Sequence, residues 1–321
     1  MDPTALAALG TDPQDAFAAA VDAGLLDLPL PGHGATAARF AALAALGRRD
    51  PVLARLGEGH ADAYAILAEL AGGVPGGGRW GVWAAVPDSV TATPGAAGWR
   101  LDGERPWCSG AAICTHALVV ATAPDGRRLF TVEVAPPHAV PVDGTWPAVG
   151  MAASDSRTVR FTDAPAVPVG EPGAYVERPG FWHGAIGVAA CWYGGAAGVA
   201  DTLLRAARHK DVGPYALAHL GAVDAVLSAA RATLDRAAAA IDREPQADLE
   251  ALAWAVRSTV ESTASEVLDR VGRALGATPL CQDAAHARRT ADLTVYLRQS
   301  HAEADLARLG ELAAAAEDDR W

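Results

Sequence analysis

The chain has 321 residues, 51% of them hydrophobic and 20% charged, so it can bury a large core and is not a disordered chain. A formal net charge of -12, with Lys210 as the only lysine, argues against a nucleic-acid partner, because phosphate binding needs clustered basic side chains. The four cysteines, Cys108, Cys114, Cys191 and Cys281, are not spaced as C-x-x-C, the nine histidines show no zinc-like spacing with them, and no signal peptide precedes them. These features predict a metal-free chain in the reducing cytoplasm.

In chain order, residues 1–75 read as helices. Pro31-Gly32-His33-Gly34 is a loop, and the Ala-rich segment from Ala37 to Leu46 carries a hydrophobic stripe. Asp50-Pro51 places a cap before a proline at the first helical position, and a helix follows to about Ala71. The glycine-rich run from Gly72 to Gly78 breaks the pattern and marks a boundary. Residues 76–180 hold most of the tryptophans and Val/Thr-rich runs broken by Pro and Gly. Trp80–Val86, Ala117–Thr122, Leu129–Val134 and Thr158–Phe161 read as strands, with Asp125-Gly126 as a hairpin turn. An antiparallel barrel or sandwich follows from that pattern.

From Phe181 the helical period returns. The uncharged run from Gly184 to Ala200 is rich in Gly and Ala and reads as a buried helix rather than a membrane span. Leu220, Val223, Leu227, Ala230 and Leu234 form one stripe. Leu252, Val256, Val260, Ala264, Val267 and Val271 form another, with Pro245 between the two. Gly276 and Pro279 end the third helix, and a fourth runs from about Asp283 to Ala315. The expected fold is α+β: N-terminal helices over 1–75, a central antiparallel β-barrel or sandwich over 76–180, and a C-terminal four-helix bundle over 181–321.

Three segments make this layout specific. The segment from Leu101 to Val120, LDGERPWCSGAAICTHALVV, carries Gly, a basic residue, Trp, a small hydroxyl residue and Gly before an apolar strand. The segment from Trp146 to Gly170 carries Gly150, a turn with Ser154, then Val159, Phe161, Asp163, Pro168 and Gly170. The segment from Arg273 to Arg289 carries Gly276. Together they resemble the acyl-CoA dehydrogenase superfamily of flavoproteins. The resemblance implies an oxidoreductase that binds FAD, with FMN as the second choice, and acts on a small molecule such as an acyl thioester of CoA. It implies an aromatic wall at Trp107 and a hydrogen bond from Ser109 to the flavin edge, with Cys108 and Gly110 beside them. Further cofactor contacts are implied at Arg208, Arg273 and Gly276. A homodimer or homotetramer is implied, because the family's flavin site spans subunits.

The chain departs from the family in four places. Arg273 stands where Gln is usual, and Ala277 and Pro279 stand where glycines are usual. The entry to the β-region reads Ala84-Ala85-Val86-Pro87-Asp88-Ser89, and the basic cluster is displaced to Arg208-His209-Lys210. The family's catalytic Glu falls near Arg298 or Ser300, or else at the start of the first C-terminal helix, where this chain has Phe181-Trp182-His183-Gly184-Ala185. Neither place has an acid. His183 and His301 are the candidate replacements, since imidazole is a base near neutral pH. Glu303, two residues beyond His301, faces away from it on a helix, and the segment from Leu293 to Asp305 reads as unbroken helix. Three readings follow: a dehydrogenase, a flavin monooxygenase that uses Ser109 with His183 or His301, and a non-catalytic subunit of a heteromeric flavoenzyme.

Overall fold

The computed structural model describes residues 3–73, 76–85, 87–96 and 98–316. Val74 and Pro75 of the glycine-rich breaker, and Val86 at the end of the first expected strand, lie outside them. Four helices come first: α1 (Pro3–Ala8), α2 (Pro13–Asp22), α3 (Thr36–Arg49) and α4 (Pro51–Ala71). Seven strands follow: β1 (Trp80–Trp83), β2 (Val90–Gly95), β3 (Gly98–Arg105), β4 (His116–Ala123), β5 (Gly126–Glu133), β6 (Ala139–Pro141) and β7 (Val159–Val169). The chain closes with α5 (Ala174–Glu177), α6 (Gly180–His209), α7 (Gly213–Arg243), α8 (Glu250–Leu275), α9 (Thr278–Gln282), α10 (Ala284–Tyr296) and α11 (Glu303–Ala315). It divides into two compact units. One holds Met1–Leu28, Arg55–Ala148 and Ala152–Phe181; the other holds Pro29–Ala54, Val149–Met151 and Trp182–Trp321.

In the first unit, β4, β2, β3, β7 and β5 pair in turn, and β5 returns to β4, so the strands close into a barrel. β1 extends the edge of β4, and β6 pairs with β7. Most pairings are antiparallel, but β1–β4 and the single bridge Thr91–Thr122 between β2 and β4 are parallel, so the sheet is mixed. The expected strands are present with shifted ends. The hairpin between β4 and β5 turns through Pro124-Asp125, because Ala123 already pairs with Gly126, one residue earlier than the sequence reading placed it.

β2 and β3 were not expected. Their buried apolar positions are few, namely Val90, Ala92 and Leu101, and Gly, Pro and charged residues interrupt them, so the alternating signal is faint. The segment from Leu101 to Val120 comprises the end of β3, a turn from Pro106 to Thr115, and then the start of β4. β4 is buried on both faces. Ala117, Val119 and Ala121 point into the barrel with Leu101, Phe130, Val132 and Phe161, while Leu118 and Val120 pack outward with Leu129 and Val169 against Ala63, Ile66 and Leu67 of α4.

In the second unit, the Asp50-Pro51 signal is realised: Asp50 Oδ1 accepts from the N–H groups of Val52 at 2.8 Å and Leu53 at 3.1 Å. Gly276 ends α8 with φ 63°, as the helix-stop signal indicated. α6 lies against the backbone of one neighbour and a side chain of another. A Cβ on Gly194 would collide with the carbonyl of Ala44 in α3, and one on Gly195 would meet Leu293 of α10 at 2.8 Å. The continuous fourth helix is corrected. α10 stops at Tyr296, a 3-10 turn covers Leu297–Gln299, and α11 starts at Glu303. Ala302 holds φ 49°, a left-handed conformation that no helix interior adopts. No helix of the described residues is long and apolar enough to cross a membrane.

The close approach of α6 and α3 is testable. Gly194→Ala should cost about 1–3 kcal/mol in urea unfolding, the range for overpacking a filled interior. Gly221→Ala, in α7 with nothing within 4 Å of its Cβ direction, should be neutral or gain up to about 1 kcal/mol. Equal midpoints for the two variants would contradict the packing described.

Candidate functional site

The first unit brings the two motif segments together. β3 ends at Arg105, whose guanidinium turns inward and donates to the carbonyls of Ala85 and Val120. Burial pushes its pKa down to about 10, so it stays charged at neutral pH. The chain then makes a turn stapled to residues 154–157. The N–H groups of Cys108, Gly110 and Ala111 donate to the carbonyls of Arg157, Ser154 and Asp155 at 3.0, 2.7 and 3.1 Å. The Ala112 N–H donates to Asp155 Oδ2 at 2.8 Å, and Arg157 Nε holds the same carboxylate through Oδ1 at 2.6 Å. Trp83 Nε1 donates to the Ser109 carbonyl at 3.0 Å.

On this turn the candidate residues take different parts. Trp107 adopts φ 60° and is 58% exposed, an unusual state for an indole and one that presents a flat apolar face to solvent. Cys108 turns its thiol into the barrel toward the carbonyl of Arg105. Burial pushes the Cys108 thiol well up and the Cys114 thiol up to about 12, so neither is a ready nucleophile. Gly110 holds φ 73°, and a Cβ there would meet Cys114 Sγ at 2.8 Å, so two constraints select glycine.

Ser109 Oγ lies 2.9 Å from Ser156 Oγ, which lies 2.8 Å from Ser154 Oγ, forming a buried chain of three hydroxyls. The N–H of Ser109 has no acceptor among the described residues. A narrow cleft behind the turn is lined by Arg55, Leu56 and Gly59 of α4, Trp80–Val82, Ser109 and Cys114. An exposed indole beside a fixed hydroxyl and a free N–H fits a flat ring system with a polar edge.

The second unit brings together the two places where the family resemblance puts a base. Buried Arg257 of α8 donates to the carbonyl of Ala185 near the start of α6 at 3.0 Å and to that of Gln299 in the helix break at 3.2 Å. Its guanidinium lies over the Trp192 ring, 4.6 Å from the centroid, and Trp192 meets Tyr296 edge-on. His183 is buried, whereas the His301 side chain is 76% exposed. His301 Nδ1 lies 3.3 Å from Asp305 Oδ1. Glu303 is exposed at the first position of α11. Arg208 is exposed in the last turn of α6. Arg273 is exposed in the last turn of α8 and paired with Asp269 at 2.7 Å, and Gly276 is that helix's exposed cap.

Sequence reasoning missed Ser156, Arg257, Asp292 and Asp305. Arg257 carried a signal, a charge beside the buried stripe position Val256. Asp292 is buried on α10 and accepts the Met151 N–H at 2.5 Å through Oδ1, while its Oδ2 has no hydrogen-bond partner among the described residues. Burial pushes its carboxyl up to about 6; the Met151 N–H pulls against this, and the Asp50 charge adds to it.

No family profile and no curated protein matches the chain. Solved structures do match. A variant of the Tcur3481-Tcur3483 steroid ACAD (acyl-CoA dehydrogenase) superposes with a TM-score of 0.76 and 22% identity over 94% of this chain and 88% of its own. The dibenzothiophene monooxygenase TdsC from Paenibacillus sp. A11-2 gives 0.78 and 20% over 96% and 92%, and that enzyme has also been solved bound to FMN. KijD3, in complex with FMN and dTDP-3-amino-2,3,6-trideoxy-4-keto-3-methyl-D-glucose, gives 0.78 and 23% over 99% and 92%. The chain thus has the fold of acyl-CoA dehydrogenase-like flavoproteins, a fold that serves both a dehydrogenase and a monooxygenase among these neighbours.

Asp292 sets a pH dependence whose sign is fixed. Its folded value of about 6 lies above its ordinary 3.8, so the folded state holds the proton more tightly than the unfolded chain. That contribution is full below about pH 4 and is lost as pH rises through about 6. Asp292→Asn keeps an acceptor for the Met151 N–H and cannot ionise. It should flatten this part of the stability profile and gain on the order of 2–3 kcal/mol at pH 8. Urea melts at pH 4, 6 and 8 check this, and an unchanged slope in the variant would refute the assignment.

Proposed function

We propose that the chain is a flavin-dependent oxidoreductase, with FAD as the first cofactor choice and FMN as the second, in which His301 takes the place of the family's carboxylate base. The stapled turn carries this reading. It holds Trp107 outward and Ser109 beside it, the two residues that the family resemblance assigns to the flavin. When bound, the flavin supplies a two-electron acceptor. The protein's own part is simpler. The Trp107 indole covers an apolar ring face, and the Ser109 hydroxyl and N–H meet a polar edge. The hydroxyl of Ser156, hydrogen-bonded to that of Ser109, limits its rotation. His301 accepts a proton from the substrate. The substrate proposed first is an acyl thioester of CoA.

Monooxygenation is the second reading. The helix break reads Arg298-Gln299-Ser300-His301-Ala302, with no Glu followed by Gly, so the acid that removes an α-proton in dehydrogenases has no counterpart there. Oligomerisation as a homodimer or homotetramer, or pairing with a different chain, belongs to the same proposal.

Reconstitution tests the reading. The purified chain with FAD or FMN should turn yellow, and Ser109→Ala should weaken flavin binding by about tenfold, the loss of one buried hydrogen bond. His301→Ala should keep the flavin and lose about 100-fold in turnover. Anaerobic bleaching by acyl-CoA would select dehydrogenation. Oxygen consumption with an added flavin reductase, without such bleaching, would select monooxygenation. A chain that binds neither flavin would overturn the enzyme reading in favour of a non-catalytic subunit.

A further inference from the structure

We propose that Ser156 is a positioning residue that lets the Ser109 hydroxyl serve a flavin in both redox states, donating a hydrogen bond to the oxidised ring and accepting one from the reduced ring. The inference rests on the flavin reading above. Ser109, Ser154 and Ser156 are all buried. Ser156 Oγ stands between the other two hydroxyls, 2.9 Å from Ser109 Oγ and 2.8 Å from Ser154 Oγ.

The kind of partner behind Ser109 decides what its hydroxyl can do in front. A carbonyl in the place of Ser156 Oγ could only accept, and would draw the Ser109 proton inward. An N–H there could only donate, and would leave the Ser109 proton pointing outward. A hydroxyl does either, because it carries one proton and two lone pairs. When Ser156 donates to Ser109, the Ser109 proton is left for the site. When Ser156 accepts from Ser109, its own proton turns to Ser154 Oγ, so neither arrangement strands the Ser156 proton. The nitrogen at the central edge of a flavin makes the matching demand. It accepts a hydrogen bond when the ring is oxidised and donates one when the ring is reduced. Burial gives the exchange weight, since a buried hydroxyl proton left without an acceptor is penalised for its lost hydration.

Affinities of the full chain for oxidised and reduced FAD and FMN, with the midpoint potential of the bound flavin, test this without turnover. Ser156→Ala removes the inner acceptor. Oxidised flavin needs only the outward proton and should bind within about threefold of the unchanged chain. Reduced flavin should bind about tenfold more weakly, because the Ser109 proton then has no acceptor. The bound potential should fall by about 30 mV, the equivalent of that tenfold ratio for a two-electron couple. Ser156→Cys keeps nearly the same shape but is a weak acceptor, so it should lower the potential in the same direction. Once Ser109→Ala has removed the outer hydroxyl, adding Ser156→Ala should move the potential no further. Circular dichroism should show the same helical content in every variant. Equal weakening of both redox states in Ser156→Ala, or a shift in Ser156→Ala that is missing in Ser156→Cys, would reduce Ser156 to a packing residue and overturn the proposal. If the unchanged chain binds neither flavin, the flavin reading itself fails and takes this inference with it.

Discussion

Burial of β4 on both faces is the constraint on which the β-rich unit rests. Its odd-numbered residues from Ala117 to Ala123 fill the barrel, and its even-numbered Leu118 and Val120 seat α4 outside it. A one-residue slip of the strand would turn Leu118 and Val120 into a barrel packed around smaller side chains and set Ala117 and Ala121 against α4, mispacking both layers at once. The eight-pair register with β5 holds that position. The turn from Pro106 to Thr115 feeds directly into β4, so Trp107 and Ser109 inherit their places from it. Glycine at position 110 and the hydrogen bonds to residues 154–157 then remove the remaining freedom of the turn. The exposed indole of Trp107 thus stands beside a backbone that is held on its C-terminal side by three N–H donors.

The ionisable groups inside the two units are handled in contrasting ways. His60 gives up its charge. Burial pushes its pKa down to about 4, and the neutral Nδ1 accepts the Trp80 N–H at 3.2 Å, which anchors the start of β1. Arg105 and Arg257 are always-charged groups that donate to carbonyl oxygens, whose dipoles help solvate a buried guanidinium. Asp292 falls between. One oxygen is satisfied and the other is not, and the group responds by holding its proton to higher pH. A guanidinium can spread its need over several acceptors, whereas a carboxylate with a single donor cannot.

What could be read from the sequence follows the same physics. Asp50-Pro51 and Gly276 are local signals, complete within a few residues, and both act as read. The apolar run of β4 is strong because both faces are buried. β2 and β3 were hidden because only one face of each is buried, with few apolar residues broken by Gly, Pro and charged side chains. The break between α10 and α11 was hidden for another reason. No Gly or Pro marks it, and Ala302 is forced into its left-handed state by Ser300, Asp305 and Arg257, which lie up to 45 residues away in the chain. At the candidate site, Trp107, Ser109 and Gly110 were legible as a motif. Ser156 became meaningful only when the fold brought its hydroxyl to Ser109.

The helix break also bears on the proposed reading of His301 as a base. A carboxylate becomes an effective base near neutral pH when burial disfavours its charge. At residue 301 the side chain stands in solvent, and the nearby acid that is buried, Asp305, spends its oxygens on Ser300, His301 and the start of α11. A glutamate placed at 301 would lack the burial that raises a carboxylate's basicity and would face the charge of Asp305. An imidazole needs no such burial to act as a base near neutral pH. On the proposed reading of His301 as the base, the solvent-facing position and the buried aspartate beside it both disfavour an acid and tolerate a histidine, so residue type and the shape of the break agree.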